Sequence, residues 1–379
     1  MKKWFKIAAW NIGVIVVLLV IIEFGLRFTR FEMVRNPAAN NPSNYYVSDA
    51  TFGVRIKPNF PLSWFEFRGP GHKVFSNELG CFDKPVRLRK GEPYILAIGD
   101  SFTWGYNPLE AKWTSIIERR TGIRVLKCGV VGTGTNYQLR HLKHLLANLP
   151  HPPQSVVHLY DTTDFNDDFI FPGETVVDGQ RIEDYARIRL SDGEHVERDA
   201  NPDQNRPGQI YGSRTSRQPR PLVLRSLLNM VFIVDSQVEK RRLVLEGQNP
   251  DYLHWRYEFN LLLLDPEKYP YVSKRLDAHI DTLKQMRRAV QNVGASYFLF
   301  HTNSFRLPND RPLVSQLENF FESMPEFKGR MPELGRHLFD PHWNADSEKQ
   351  VAEFMLERMK VRALASDNLG NSSRQVQRR

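Results

Sequence analysis

Apolar residues occur in three rhythms along this chain. The first is an unbroken run near the N-terminus, where Ile7 to Ile22 carries no charge behind Lys2, Lys3 and Lys6. The second is a set of short continuous apolar runs: "YILAI" (94–98), "RVLKC" (124–128), "SVVHLY" (155–160) and "SYFLFH" (296–301). Runs of this length without alternation predict strands buried on both faces. The third is a helical period between those strands. "NPLEAKWTSIIERRTG" predicts a helix with Asn107 as N-cap, Pro108 in its first position and Gly122 as terminator. Leu139, Leu142, Leu146 and Leu149 share one helical face, and so do Leu276, Ile280, Leu283 and Val290 before Gly294. A last helix begins near Ser347 with Gln350 as its capping-box partner, burying Val351, Phe354, Met355 and Met359. Strands alternating with helices define an α/β class with a doubly wound, mainly parallel sheet.

Between these rhythms the chain changes character. Residues 1–28 form the expected N-terminal membrane anchor, and 29–90 an irregular approach broken by Pro37, Pro42, Pro58, Pro61 and Pro70. The main domain is expected over 91–362 with an insert at 169–270, and a polar tail follows over 363–379. The middle of the insert, "RDANPDQNRPGQIYGSRTSRQPRP", predicts an exposed loop. Its apolar stretch "LVLRSLLNMVFIV" (222–234) is expected to cover the core, with a membrane-dipping lid as the alternative. No internal repeat is present.

The sixteen residues from Ile7 to Ile22 span about 24 Å as a helix, and flanking Trp4, Phe5, Phe24 and Leu26 lengthen the apolar face. No A-x-A-like cleavage site follows, so an uncleaved single-pass inner-membrane helix is expected rather than a signal peptide. The expected orientation puts the body in the periplasm or cell exterior, although Arg27, Arg30 and Arg35 nearly balance the leading lysines.

Composition narrows the function classes. Forty-one per cent apolar and 25% charged residues are globular proportions. The net charge of +9 is scattered, with no aromatic-interleaved basic stripe, so nucleic acid is not an expected partner. Cys81 and Cys128 are the only cysteines. They exclude a cysteine-rich metal site, and Cys128 reads as a buried free thiol unless export lets the two pair. No cofactor or metal is expected.

In doubly wound sheets ligands bind beyond the carboxyl ends of the strands. Those ends hold Gly99-Asp100-Ser101, the glycine turn "GVVGTG", "DTTDFNDD" and His301; "FDPHWN" with Asp340 and His342 precedes the last helix. A serine needs a base to become nucleophilic, and neutral histidine titrates in the useful range. A carboxylate orients that histidine, and glycine N–H groups approach a developing oxyanion closely. Taken singly, these residues have plainer readings. Ser101 is equally a turn serine, the glycines a tight turn, Asp340 and His342 a surface pair, and His301 a strand-end polar residue. Asp164, Asp167 and Asp168 read as solvated loop acids rather than metal ligands.

"GDSFTWG", "GVVG", "TDFNDD" and "DPHWN", in this order, resemble the SGNH/GDSL hydrolase superfamily. With "EFGLR" after the apolar run, the chain looks most like its membrane-anchored bacterial members. The resemblance runs from about Asn77 to Lys360 and implies an SGNH/flavodoxin-like three-layer fold. It implies a serine esterase or acyltransferase acting on O-acyl groups, O-acetyl included, of a small molecule or cell-surface glycan. Ser101 would be the nucleophile, His342 the base, Asp340 its partner and Gly132 an oxyanion donor. Three positions depart from the pattern. Asp340 stands two residues before His342 where three are usual, and Lys127 replaces an asparagine. Thr163 stands where the family's oxyanion asparagine belongs, with Asn166 as an alternative donor. That last departure leaves open a catalytically impaired, polysaccharide- or partner-binding descendant.

Overall fold

The computed structural model describes residues 2–28, 42, 44–65, 71–170, 175–177, 180–182, 186–189, 196–198, 252–254, 261–267, 269–303, 307–337 and 340–359. Helix α1 spans Lys2–Phe28, and its apolar side chains from Val14 to Ile22 are exposed. Among the described residues no helix is long and apolar enough to cross a membrane. The membrane-crossing element of the expected architecture is therefore not found there. Side chains 4–9 and 12, inside and beside the apolar run, lie outside the described residues.

Two antiparallel hairpins follow, β1 (Tyr46–Asp49) with β2 (Gly53–Ile56) and β3 (Ser63–Phe65) with β4 (His72–Val74). The segment read as an irregular approach thus carries four short strands. Tyr45, Phe52, Ile56, Phe65 and Val74 pack into one cluster with Trp104, Tyr106 and Tyr137. The prolines limit strand length without preventing pairing, because hairpin edges need few backbone donors.

The central sheet has five parallel strands: β5 (Tyr94–Gly99), β6 (Arg124–Lys127), β7 (Ser155–Tyr160), β13 (Ser296–His301) and β14 (Phe327–Arg330). They lie in the order β14-β13-β7-β5-β6, all neighbours parallel. Counted along the chain this is the 2-1-3-4-5 arrangement, whose topological switch falls between β5 and β7. Every residue of β5 and β7 is buried, as the continuous apolar runs require. The short β14 has no buried residue and carries no such run, so its sequence gave no strand signal.

Helices cover both faces, and alternate strand residues point to each. Leu96, Ile98 and Val156 pack beneath α4 (Thr135–Asn148), α6 (Pro270–Asn292) and α7 (Pro312–Ser323). Ile95, Ala97 and Val157 pack beneath α3 (Trp113–Thr121) and α8 (Ala345–Met359). The short helices α2 (Ser101–Trp104) and α5 (Thr163–Ile170) begin at the ends of β5 and β7.

Within the insert, β8 (Thr175–Val177) pairs with β9 (Gln180–Ile182), and β10 (Ala186–Arg189) lies between β11 (Val196–Arg198) and β12 (Tyr252–His254). Segments 222–234 and 363–379 lie outside the described residues. The last pair is β15 (Arg336–His337) with β16 (Asp340–Trp343).

Three local expectations change. Cys81 and Cys128 form a disulfide rather than free thiols. The helix expected from Asn107 starts at Trp113, after a 3-10 turn over Leu109–Ala111, with Gly122 ending it in the left-handed conformation. Asn107 is consequently free for another task, described below. The last helix is capped by Asn344, whose Oδ1 accepts from Ser347 N at 3.0 Å, while the Ser347 hydroxyl donates to Gly335 O.

Candidate active site

Ser101 sits where β5 turns into α2, and Asp100 makes that turn. Its Oδ1 accepts the Phe102 N–H at 2.9 Å, capping the short helix. Across 241 positions of sequence, His342 on β16 brings Nε2 to 2.7 Å from Ser101 Oγ. The imidazole lies against Phe102 and Tyr106, with ring centroids 4.7 and 4.2 Å away. Asp340 begins β16 two residues earlier, and its side chain lies outside the described residues.

Ser101 Oγ also lies 3.1 Å from Asp100 Oδ2. Burial, reinforced by the nearby Asp161 carboxylate, pushes the Asp100 carboxyl up to about 7. The protonation state then directs the serine proton. A protonated Asp100 donates to Ser101 Oγ and leaves the hydroxyl proton for His342. An ionised Asp100 competes with His342 for that one proton.

The loop after β6 carries Gly132 at φ +63°, a conformation glycine adopts without strain. Nearby, Gly129 is required by close approach: a Cβ there would stand 2.6 Å from Thr103 Cβ and collide with Trp104 N. Glycine at this position lets the loop lie against the nucleophile turn.

Thr163 begins α5 beyond β7, and both its N–H and its hydroxyl donate to Asp161 Oδ1, at 2.8 and 2.7 Å. Its hydroxyl proton is therefore directed at Asp161. Asn166, the alternative donor, accepts the Leu261 N–H on its Oδ1 at 3.0 Å. The acids of this segment are not solvated. Asp161 and Asp164 are fully buried and Asp167 nearly so; burial and the surrounding carboxylates raise Asp164 well above the usual range. Asp164 accepts from Gln138 Nε2, and Asp168 from Thr135 Oγ1 and the Asn136 N–H. They brace α4 and α5. No group of metal-ligating side chains occurs among the described residues.

A buried polar network stands behind the nucleophile turn. Lys112 Nζ donates to Trp104 O and Gly105 O at 2.6 Å, and Lys127 Nζ to Trp104 O at 2.9 Å. Both ammonium groups lie 3.8 Å from the Phe82 ring centroid. Burial lowers both, Lys127 to about 7. Asn107 Nδ2 donates to Trp343 O at 2.9 Å and Glu348 Oε1 at 3.0 Å, and Glu348 Oε2 accepts Trp113 N–H at 2.9 Å. The network ties the serine turn, the histidine strand and α8 together. Of these residues, sequence reasoning singled out Lys127 as a departure and Asn107 as a helix cap. Lys112 and Glu348 look like surface charges until the tertiary structure buries them.

No protein-family model and no curated protein matches this chain. Among solved structures it is similar to TesA at 10% identity, covering 70% of this chain and 98% of that one, with a TM-score of 0.33. It is similar to a carbohydrate esterase described as having divergent catalytic and non-catalytic binding functions, at 12% identity, covering 73% and 67%, TM-score 0.34. A third is the acetyl xylan esterase Est2A from the rumen bacterium Butyrivibrio proteoclasticus, at 14% identity, covering 74% and 66%, TM-score 0.34. Likeness of this depth carries no argument, so the chemistry rests on the residues of this chain.

Proposed function

We propose that the protein is a serine esterase or acyltransferase of SGNH type. The observation that carries this reading is the 2.7 Å approach of His342 Nε2 to Ser101 Oγ at the carboxyl edge of the parallel sheet, beside its switch point. Ser101 Oγ attacks the ester carbonyl as its proton passes to His342 Nε2. The tetrahedral oxyanion is met by backbone N–H groups at Ser101 and Gly132. His342 returns the proton to the departing alcohol, and water or a second hydroxyl then takes the acyl group from Ser101. Asp340 would orient the imidazole from its place on the same strand.

The substrate is an O-acyl ester of a small molecule or cell-surface glycan. The body is held at the outer face of a membrane by α1. The exposed apolar stretch of α1 supports that placement, and the Cys81–Cys128 disulfide fits an oxidising compartment. A C-terminal reporter active only after export tests the topology.

The purified chain is expected to hydrolyse p-nitrophenyl acetate and to be labelled by a fluorophosphonate at Ser101. Ser101→Ala is expected to abolish both, and equal turnover by wild type and variant would sink the assignment. One observation favours a second reading, a catalytically impaired binding protein: the Thr163 hydroxyl donates to Asp161, so it must break that bond before it can serve an oxyanion. Turnover that appears only in Thr163→Asn would decide for that alternative.

A further inference from the structure

A cavity of about 370 Å³ opens at the ends of β7, β13 and β14, between Thr162, His301 and Arg330, with Glu318 of α7 on its wall. Small-molecule sites commonly begin near this volume. Adjacent strands lie about 4.8 Å apart, so β13 ends roughly 10 Å along the sheet edge from the strand that delivers Ser101.

His301 marks the cavity as more than a packing gap. It is 2% exposed, its ring held against Tyr160 and Phe321 with centroids 5.5 and 5.7 Å away. Nδ1 accepts the Asn303 N–H at 2.9 Å, so the proton of the neutral ring resides on Nε2. Burial keeps that ring neutral by lowering it to about 4. Nε2 has no hydrogen-bond partner among the described residues. A buried donor left unmade costs about 1–3 kcal/mol. His158, equally buried on the neighbouring strand, shows the contrast: Nε2 donates to Gln138 Oε1 and Nδ1 accepts from the Tyr297 hydroxyl. Asn303 holds a left-handed φ of +54° and pins its loop through a bond from Nδ2 to Met331 O. A non-glycine residue in that conformation is a cost that functional loops commonly carry.

Charge and polarity select the ligand class. Arg330 pairs with both Glu318 and Glu322, so the cavity has no surplus positive charge for an anion. Among the described residues, Leu307 is the one apolar side chain in a lining otherwise made of threonine, histidine, asparagine, glutamate and arginine. Donors and acceptors within one lining suit hydroxyl groups, which do both.

We propose that this cavity is a subsite for a neutral, hydroxyl-rich group of monosaccharide size, the alcohol portion of the ester processed at Ser101. The catalytic half of this statement rests on the esterase or acyltransferase reading; the binding half does not. It is tested on the full-length Ser101→Ala chain in detergent, by saturation-transfer NMR with methyl β-D-glucopyranoside, methyl α-D-mannopyranoside and the anionic methyl β-D-glucuronoside. Saturation transfer is expected to at least one neutral glycoside. It should weaken about tenfold, the equivalent of one neutral hydrogen bond, when His301→Phe removes the donor. Leu307→Trp, which fills the cavity from its rim and keeps His301, is expected to weaken it as well. In the Ser101-intact chain, the same two variants should lower kcat/KM for an O-acetylated methyl glycoside relative to p-nitrophenyl acetate.

Transfer to none of the glycosides, transfer unchanged in both variants, or preference for the glucuronoside would each overturn the subsite. Glycoside binding lost in both variants, in a chain that neither turns over esters nor takes a fluorophosphonate, would uphold the subsite and remove the reaction.

Discussion

Asn107 Nδ2 reaches across 236 positions of sequence to donate to Trp343 O at 2.9 Å, and the same nitrogen donates to Glu348 Oε1. One amide thereby holds the strand of His342 against the segment that follows Ser101. Asn107→Ala leaves a buried carboxylate oxygen and a carbonyl short of a donor, at a cost of about 1–3 kcal/mol. Stability by urea denaturation should fall by that amount. In the esterase reading kcat should fall more than KM rises, because the Ser101–His342 approach loosens while the cavity is untouched. Equal stability loss with unchanged kcat would reduce Asn107 to a packing residue.

Asp100 gives stability a measurable pH dependence. Its folded-state value near 7 exceeds the ordinary carboxylate value, so between about pH 4 and 7 the folded chain binds more protons than the unfolded one. Stability from this group is therefore present at low pH and lost as pH rises through 7, at up to about 1.4 kcal/mol per pH unit. The stability difference between wild type and Asp100→Asn should shift against wild type over that window. Denaturation at pH 5 and pH 7.5 giving the same difference would refute the assignment.

Lys127 acts in the opposite sense. An ammonium lowered to about 7 makes the folded chain bind fewer protons than the unfolded one between about pH 7 and 10. Its contribution grows with pH through that window. Lys127→Met should flatten the rise between pH 7 and 9 in urea midpoints; parallel curves for wild type and variant would exclude it.

The Cys81–Cys128 bridge closes 47 positions of chain and pins β6 to the segment before β5. A loop of this length predicts about 4 kcal/mol of chain-entropy stabilisation, with measured values commonly 2–4 kcal/mol. The double variant Cys81→Ala with Cys128→Ala should lose stability in that range. An unchanged denaturation midpoint would show that the bridge contributes nothing.

Periodicity was a reliable guide wherever burial was uniform. Runs such as "YILAI" and "SVVHLY" are apolar apart from Ser155, His158 and their tyrosine hydroxyls, and a strand covered by helices on both faces demands that pattern. β14 escaped because its edge position buries none of its four residues. The hairpins of 45–74 escaped because their aromatics pack against another part of the chain rather than in a repeating local pattern. Asn107 before Pro108 looked like a cap by local chemistry. The bond to Glu348 that replaces that role depends on α8, more than two hundred residues away.

What the amino-acid sequence determined by itself was the strand-and-helix alternation, the strand ends that carry polar chemistry, and the nomination of Ser101 and His342. Local burial and hydrogen-bonding chemistry are enough for those. Tertiary structure alone decided the 2.7 Å contact between them, the pairing of Cys81 with Cys128, the direction of the Thr163 hydroxyl toward Asp161, and the buried state of Lys112, Lys127 and Glu348. Each depends on which distant segments the sheet order brings together. A charge or a donor acquires its chemistry from the groups that surround it in space, and those neighbours are set by packing rather than by sequence spacing.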